Sequence, residues 1–344
     1  MKIAVIGAGA IGSVVAAYLS KAGVDGTLIG RADQVAAITA KGLRVVGARG
    51  EEKFQILTLT RLDKPYDVVI FTVKTQDLEA AYQENAEFLE QGYVLTTQNG
   101  VQSDNLLSAH FDRAKMVSSI VMFGATYVRP GEVTFNFEGD WIIGKPYLPN
   151  DPFVQALAEV LRKAFKVPVS DNIMGMKWLK LFVNFNNCIP ALLGKSMQET
   201  FADLDFCRLS MLLLKEGIEV TRKAGVQLVS LPQFPAERIE GLSAMPVEQG
   251  AAIVNKTLTG LSKEPLYGSI LQSILRKKTS EIDFINGEVT HMAQAMGLNA
   301  PLNRKVVDLV HRVEREGKFF SRDEVKREFN LKESAISRQS SADS

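Results

Sequence analysis

Near the amino terminus, Gly7-Ala8-Gly9-Ala10-Ile11-Gly12 has the G-x-G-x-x-G spacing of a backbone that wraps a pyrophosphate. The first glycine permits a tight turn, the second lets the chain approach the phosphates, and the third allows close packing of helix on strand. The phosphate then rests on free N–H groups at the positive end of the helix. Cofactor choice falls at the end of the second strand, where an Asp or Glu would bind the ribose 2′-hydroxyl of NAD. Gly30-Arg31 stands there instead. A guanidinium suits the 2′-phosphate of NADP through bidentate, charge-assisted hydrogen bonds. Asp33, two residues on, leaves some room for NAD, and the balance favours NADP.

A second group of polar residues lies in the segment MGMKWLKLFVNFNNCIPALLG, residues 174–194. On a helix of about 100° per residue with Lys180 at zero, Asn184 falls at about 40°, Asn187 at about −20° and Lys177 at about 60°. Trp178, Phe182, Phe185 and Ile189 take the opposite side, between about 140° and 200°. One stripe therefore carries ammonium and amide groups and the other packs inward. Solvated helix faces usually mix Glu with Lys, and Asn is a poor helix former. A lysine with two asparagines and no acid fits a site for a carboxylate or a ketone. Asn186 points away from the stripe, as a structural or helix-end residue.

Two more positions sit at the carboxyl ends of predicted strands, where open α/β sheets bind ligands. Lys74 follows VVIFTV and Asn99 follows YVLTTQ; each is equally readable as an ordinary strand-end polar residue. In the segment 266–293, Ser280 and Asp283 have capping-box spacing, which predicts a helix beginning at Glu281. Glu281 then sits in a first turn at a break between helices, facing a cleft or complementing the helix dipole. Ser269 lies twelve residues earlier, on the preceding helix.

The elements that must position these residues fall into two halves. Residues 1–170 alternate short apolar runs with helical segments, the pattern of a parallel sheet covered by helices: an α/β, Rossmann-type dinucleotide-binding domain. Strands are predicted at 2–6, 27–30, 68–73, 93–97 and 116–123, with a first helix at 11–22. From 125 to 144 the pattern turns to alternation, predicting antiparallel hairpins around Arg129-Pro130-Gly131 and Glu138-Gly139-Asp140. A helix follows near 153–165 and a short strand at 167–169. Beyond 171 strand signals cease, and 171–332 reads as an all-α substrate or catalytic domain. A last helix, 322–331, opens with a capping box at Ser321 and Glu324. The Ser-rich stretch 333–344 is expected to be disordered.

Composition narrows the function classes. Forty Lys and Arg balance 39 Asp and Glu, so no basic excess points to nucleic acid or a membrane surface as partner. Cys188 and Cys207 form no C-x-x-C pair, which sets aside a disulfide scaffold or zinc knuckle and suggests a reducing compartment. His110, His291 and His311 are scattered and predict no metal site. The apolar stretch 3–19 is broken by Gly7, Gly9 and Gly12 and leads straight into periodic structure, unlike a secretory signal. No segment reaches the ~18 uninterrupted apolar residues of a membrane span. A soluble, cytoplasmic protein is expected, and its apolar helical half offers either a homodimer face or simply a buried core.

Taken together, these residues resemble the ketopantoate reductase (2-dehydropantoate 2-reductase) family over residues 1–315. The resemblance rests on KIAVIGAGAIG, Arg31, VVIFTVK ending at Lys74, QNG containing Asn99, KLFVN containing Lys180 and Asn184, and SEIDFING containing Glu281. The last two are more specific than the glycine loop. It implies a Rossmann domain joined to a helical domain, with NADPH and an α-keto acid meeting in the cleft between them. The implied reaction is reduction of 2-dehydropantoate to (R)-pantoate, in pantothenate and coenzyme A synthesis. It also implies that Lys180 is the general acid, that Glu281 orients the substrate hydroxyl or the lysine, and that Asn99, Asn184 and Ser269 hold substrate or cofactor. Lys74 matches a cofactor-side lysine. The family commonly has a second asparagine eight residues after the lysine, followed at once by proline. Here that position is Cys188, Asn187 comes one residue early, and Pro190 comes one late. Another branched or aromatic 2-oxo acid is the neighbouring reading. A non-catalytic NADP-binding regulator is a third, and it has no use for Lys180, Asn184 and Glu281.

Overall fold

The computed structural model of the chain describes residues 1–331, so the stretch 333–344 lies outside the described residues. The chain divides into two compact units, Met1–Lys177 and a second beginning at Trp178.

The first unit holds a seven-stranded and a four-stranded sheet. Its strands are β1 (Ile3–Ile6), β2 (Gly26–Ile29), β3 (Leu43–Gly47), β4 (Glu52–Phe54), β5 (Leu57–Leu59), β6 (Val68–Phe71), β7 (Tyr93–Thr96), β8 (Met116–Val121), β9 (Gly124–Arg129), β10 (Glu132–Phe137) and β11 (Trp141–Gly144). The large sheet has the order β11-β8-β7-β6-β1-β2-β5 and is parallel except for β11. Every residue of β1 and β6 is buried, as their unbroken apolar runs require of strands covered on both faces. Alternate residues serve opposite faces. Ile3, Val5, Val68 and Ile70 join one core cluster with α1 (Ala10–Lys21), and Ala4, Ile6, Val69 and Phe71 join another with α3 (Leu78–Asn85). Two helices, α2 (Ala32–Lys41) and α4 (Gln102–Ser108), open just after β2 and β7 at the carboxyl edge of the sheet, and α5 (Pro152–Arg162) follows β11.

Residues 43–59, in which no strand is predicted, form β3, β4 and β5, three short strands of which the first two carry charged residues. The hairpin between β9 and β10 turns at Pro130-Gly131, as predicted. The second predicted hairpin, around Glu138-Gly139-Asp140, does not form. Strand β10 pairs with β9 and β3 in the small sheet, whereas β11 crosses to the large sheet beside β8. Alternation of apolar residues identifies strands but not their partners. Residues 167–169 contribute only an isolated bridge from Val169 to Ile143, because Pro168 has no N–H to give a ladder.

Helix α6 (Ile173–Asn184) contains the division between the units. The second unit continues with α7 (Cys188–Leu193), α8 (Met197–Phe201), α9 (Leu204–Lys223), α10 (Ala236–Ala244), α11 (Val247–Thr259), α12 (Ser269–Leu275), α13 (Asn286–Ala295), α14 (Pro301–Glu316) and α15 (Arg322–Glu328). The Ser321–Glu324 capping box opens α15 as predicted, and the helix ends three residues earlier than expected. Helix α9 is the central packing surface: at its Gly217 a Cβ would stand 2.8 Å from the Phe182 ring and 2.9 Å from the Phe185 ring. The apolar side of α6 thus packs closely on α9. Among the described residues no helix is long and apolar enough to cross a membrane.

Candidate functional site

The glycine loop is drawn tightly against the end of β6 and left open on one side. Gly7 has a φ of 117°, and a Cβ there would stand 2.8 Å from the Val73 amide nitrogen. At Gly12 a Cβ would stand 2.0 Å from the Gly7 carbonyl oxygen. At Gly9 a Cβ would meet nothing within 4 Å, so free space lies over the middle of the loop. Gly9 is the N-cap of α1, with no side-chain cap and no acid in the first turn. The first-turn amides, from Ala10 and Ile11 onward, are therefore left for an anion. Close packing at Gly7 and Gly12, an open Gly9 and an uncapped helix end fit a dinucleotide pyrophosphate.

Two side chains hold this loop. Thr72 donates its hydroxyl to the carbonyls of Ile6, at 3.0 Å, and Gly7, at 2.8 Å. The buried Gln34 donates its amide to the Ala8 carbonyl at 2.9 Å and accepts the Arg31 N–H at 2.9 Å. The loop and the turn carrying Arg31 are thereby one hydrogen-bonded unit. Gly30 makes the approach possible, since a Cβ there would stand 2.6 Å from that of Ala8. The Arg31 side chain is 76% exposed and lies 3.6 Å from Asp33. Gln34 is a residue the sequence reading missed, although its position three after Arg31 is the spacing of a capping box.

Lys74 is exposed and caps a 3₁₀ turn, Thr75–Asp77, just beyond β6. Asn99 is half-buried, three residues beyond β7. Gln98 joins the two strand ends, donating to the carbonyls of Phe71 at 3.0 Å and Val73 at 2.9 Å. Thr97 adds a bond to Phe71 at 2.8 Å. Five residues after Asn99, the fully buried Asp104 accepts from Thr96 at 2.6 Å, Ser118 at 2.9 Å and the Lys177 ammonium at 2.5 Å. Lys177 therefore departs from its expected place on the polar stripe of α6. It is 3% exposed and belongs to this buried cluster at the start of the helix.

The rest of the stripe belongs to the second unit. Lys180 and Asn184 are half-buried on α6. The segment 174–194 is not one continuous helix: a 3₁₀ turn, Phe185–Asn187, separates α6 from α7. Residues three apart in a 3₁₀ turn eclipse, so Asn187 follows Asn184 on one face instead of lagging by about 60°. The Asn187 amide donates to the Ser269 hydroxyl at 3.5 Å, and a Cβ at Gly268 would stand 2.5 Å from Asn187 Oδ1. Asn187 and Ser269 are thus brought together. Asn186, expected to be structural, accepts from the Ser210 hydroxyl. Cys188 is fully buried and donates to the Phe185 carbonyl, and burial pushes its thiol up to about 12, leaving it inert.

Glu281 departs from its predicted helix start. It precedes a 3₁₀ turn, Ile282–Phe284, and α13 begins only at Asn286. Ser280 forms no capping box with Asp283. Its hydroxyl accepts from Ile282 N–H, while Asp283 is engaged by His311. The Ser280–Asp283 spacing was a local signal overridden by a partner on α14.

Comparisons with known proteins agree along most of the chain. Residues 3–146 match the family model "Ketopantoate reductase PanE/ApbA", and residues 172–314 match its C-terminal counterpart. The 2-dehydropantoate 2-reductase of Pyrococcus abyssi is 31% identical over 307 residues, covering 88% of this chain and 94% of that protein. That of Archaeoglobus fulgidus is 27% identical over 91% of this chain and 98% of its own length. Among solved structures, a PanE/ApbA family ketopantoate reductase from Ralstonia eutropha superimposes with a TM-score of 0.77 at 26% identity, covering 92% of this chain and 99% of that one. A D-mandelate dehydrogenase with NADH and anilino(oxo)acetate has the same fold, with a TM-score of 0.77 at 22% identity over 92% of this chain and 99% of that one.

Proposed function

This chain belongs to the ketopantoate reductase family, and from that membership we propose that it reduces 2-dehydropantoate to (R)-pantoate with NADPH as the electron donor, in pantothenate and coenzyme A synthesis. The observation that carries the substrate side is the amide-and-ammonium face formed by Lys180, Asn184 and Asn187, with Ser269 hydrogen-bonded to Asn187. Such a face matches a 2-oxo acid, whose carboxylate and ketone oxygens accept hydrogen bonds and offer none.

In this reading Gly7 to Gly12 hold the pyrophosphate, Arg31 binds the 2′-phosphate, and Lys74 and Asn99 line the cofactor side. The bound nicotinamide supplies the hydride. Lys180 donates its ammonium proton to the ketone oxygen as negative charge builds there, an interaction that strengthens toward the transition state. Asn184, Asn187, Asn99 and Ser269 hold the substrate's carboxylate and hydroxyl, and Glu281 orients the substrate hydroxyl or the lysine. A cationic acid positioned in this way contributes about 10²- to 10⁴-fold to the rate.

Cys188 favours a second reading, the same reduction of another branched or aromatic 2-oxo acid. A buried, protonated thiol occupies the position where the family commonly has an asparagine, and a thiol is a weak hydrogen-bonding group. The kcat/KM of purified enzyme on 2-dehydropantoate and on a panel of branched and aromatic 2-oxo acids, each with NADPH, separates the two. The highest value on 2-dehydropantoate is expected. A preference for another acid would keep the reaction and replace the substrate, and tight NADPH binding without turnover on any acid would contradict both readings.

A further inference from the structure

Glu281 is flanked by a closed ring of hydrogen bonds anchored on α14. One residue before it, the Ser280 N–H donates to Glu314 Oε1 at 2.8 Å. Two residues after it, Asp283 Oδ1 lies 2.9 Å from His311 Nε2. The ring closes on α14, where His311 Nδ1 lies 3.0 Å from Glu314 Oε2. His311 and Glu314 are three residues apart and share one face of the helix. The turn between is short, with Phe284 N–H on the Glu281 carbonyl at 3.0 Å, Ile285 N–H on the Ile282 carbonyl at 3.2 Å and Ile282 N–H on the Ser280 hydroxyl at 3.3 Å. Ile282 and Ile285 are buried beneath it.

Helix α14 is a firm support for this ring. Its first turn is fixed by Glu216, whose carboxylate accepts the N–H groups of Leu302, at 3.0 Å, and Asn303, at 2.8 Å. Ionised Asp283 and Glu314 only accept, so an imidazole that bonds to both must donate through both nitrogens. Without His311 the two carboxylates would lose their shared donor and repel one another, and the Asp283 side of the turn would lose its tie to α14. The Ser280–Glu314 bond would remain.

We propose that His311 is a positioning residue for Glu281: by bridging Asp283 and Glu314 it fixes the turn from which Glu281 projects. This inference rests on the proposed role of Glu281 in the reaction. Misplacing a catalytic group by about 1 Å costs up to about 100-fold, so loosening the turn should lower kcat measurably.

The test is a double-mutant cycle in the full-length enzyme, comparing wild type, His311→Gln, Glu281→Gln and the double variant, with kcat and NADPH affinity measured for each. His311→Gln is expected to lower kcat about tenfold with NADPH affinity unchanged, and to cost less than about twofold once Glu281 is already Gln. Asp283→Asn, which keeps the shape of the side chain, should give the same pattern. An equal loss from His311→Gln in both backgrounds, or no loss in the wild-type background, would overturn the proposal and leave Glu281 in place. Full turnover by Glu281→Gln would instead remove the role of Glu281, and the proposal with it.

Discussion

The Lys177 ammonium lies 2.5 Å from Asp104 Oδ2, and both side chains are shielded from solvent, at 2% and 0% exposure. The pair sits one helical turn before Lys180 and five residues after Asn99, among Thr96 and Ser118 hydroxyls that satisfy the remaining carboxylate lone pairs. A buried pair completed in this way gives little net stability over an apolar pair, but breaking it strands a charge.

Lys177→Met should therefore destabilise the protein by about 3–5 kcal/mol, measured as the shift in the urea unfolding midpoint. Replacing Asp104 by Leu in the same protein should recover part of that loss, because no charge is then left buried. A loss below about 1 kcal/mol for Lys177→Met would mean that the pair is open to water in solution.

Arg31→Ala should weaken NADPH binding by about 10- to 100-fold, the value of charge-assisted hydrogen bonds to a phosphate, and leave NADH binding nearly unchanged. Titration of both cofactors against both proteins checks this. Equal losses for the two would assign Arg31 a general charge effect and remove NADP preference from the account.

Gly268→Ala offers a probe of Asn187 from the opposite side. The new methyl would stand 2.5 Å from Asn187 Oδ1, while the φ of −65° at Gly268 accommodates alanine without backbone strain. The expected outcome is a rise of about tenfold in KM for the 2-oxo acid with NADPH affinity unchanged. The substitution should be nearly silent once Asn187 is alanine. An unchanged KM would exclude Asn187 from substrate binding.

His311 also couples stability to pH. Burial alone would lower its pKa, but the hydrogen bonds it donates to Asp283 and Glu314 outweigh burial and raise it above the ordinary value. A raised folded-state pKa gives stabilisation that is full below the unfolded value of about 6.5 and is lost as pH rises through the folded value. In urea titrations, wild type should exceed His311→Gln in stability most at about pH 5–6, with the gap narrowing in alkaline solution. A gap that widens with pH would contradict the imidazolium bridge.

The residues contacting backbone were the most legible in the sequence. Gly7 and Gly12 declare their geometry because no other residue fits, Gly9 follows from their spacing, and the runs at β1 and β6 can only be strands covered on both faces. What stayed hidden depends on partners distant in sequence. Asp104 and Lys177 are 73 residues apart and look like surface charges until the fold buries them together. The crossing from β10 to β11 and the displacement of the helix start from Glu281 to Asn286 have the same origin, since a local alternation or a capping pattern gives way to a tertiary contact. The helical spacing sets Asn187 about 60° from Asn184, because the 3₁₀ turn that aligns the two leaves no mark in the spacing of apolar residues.

The most direct test of the account is the turnover of 2-dehydropantoate by Lys180→Ala beside wild type, followed by the loss of NADPH absorbance, with NADPH affinity measured separately. The account predicts ready turnover by wild type and a fall in kcat of at least about 100-fold in the variant, with cofactor affinity unchanged. Near-normal turnover by Lys180→Ala would contradict it, because the proton would then come from another group.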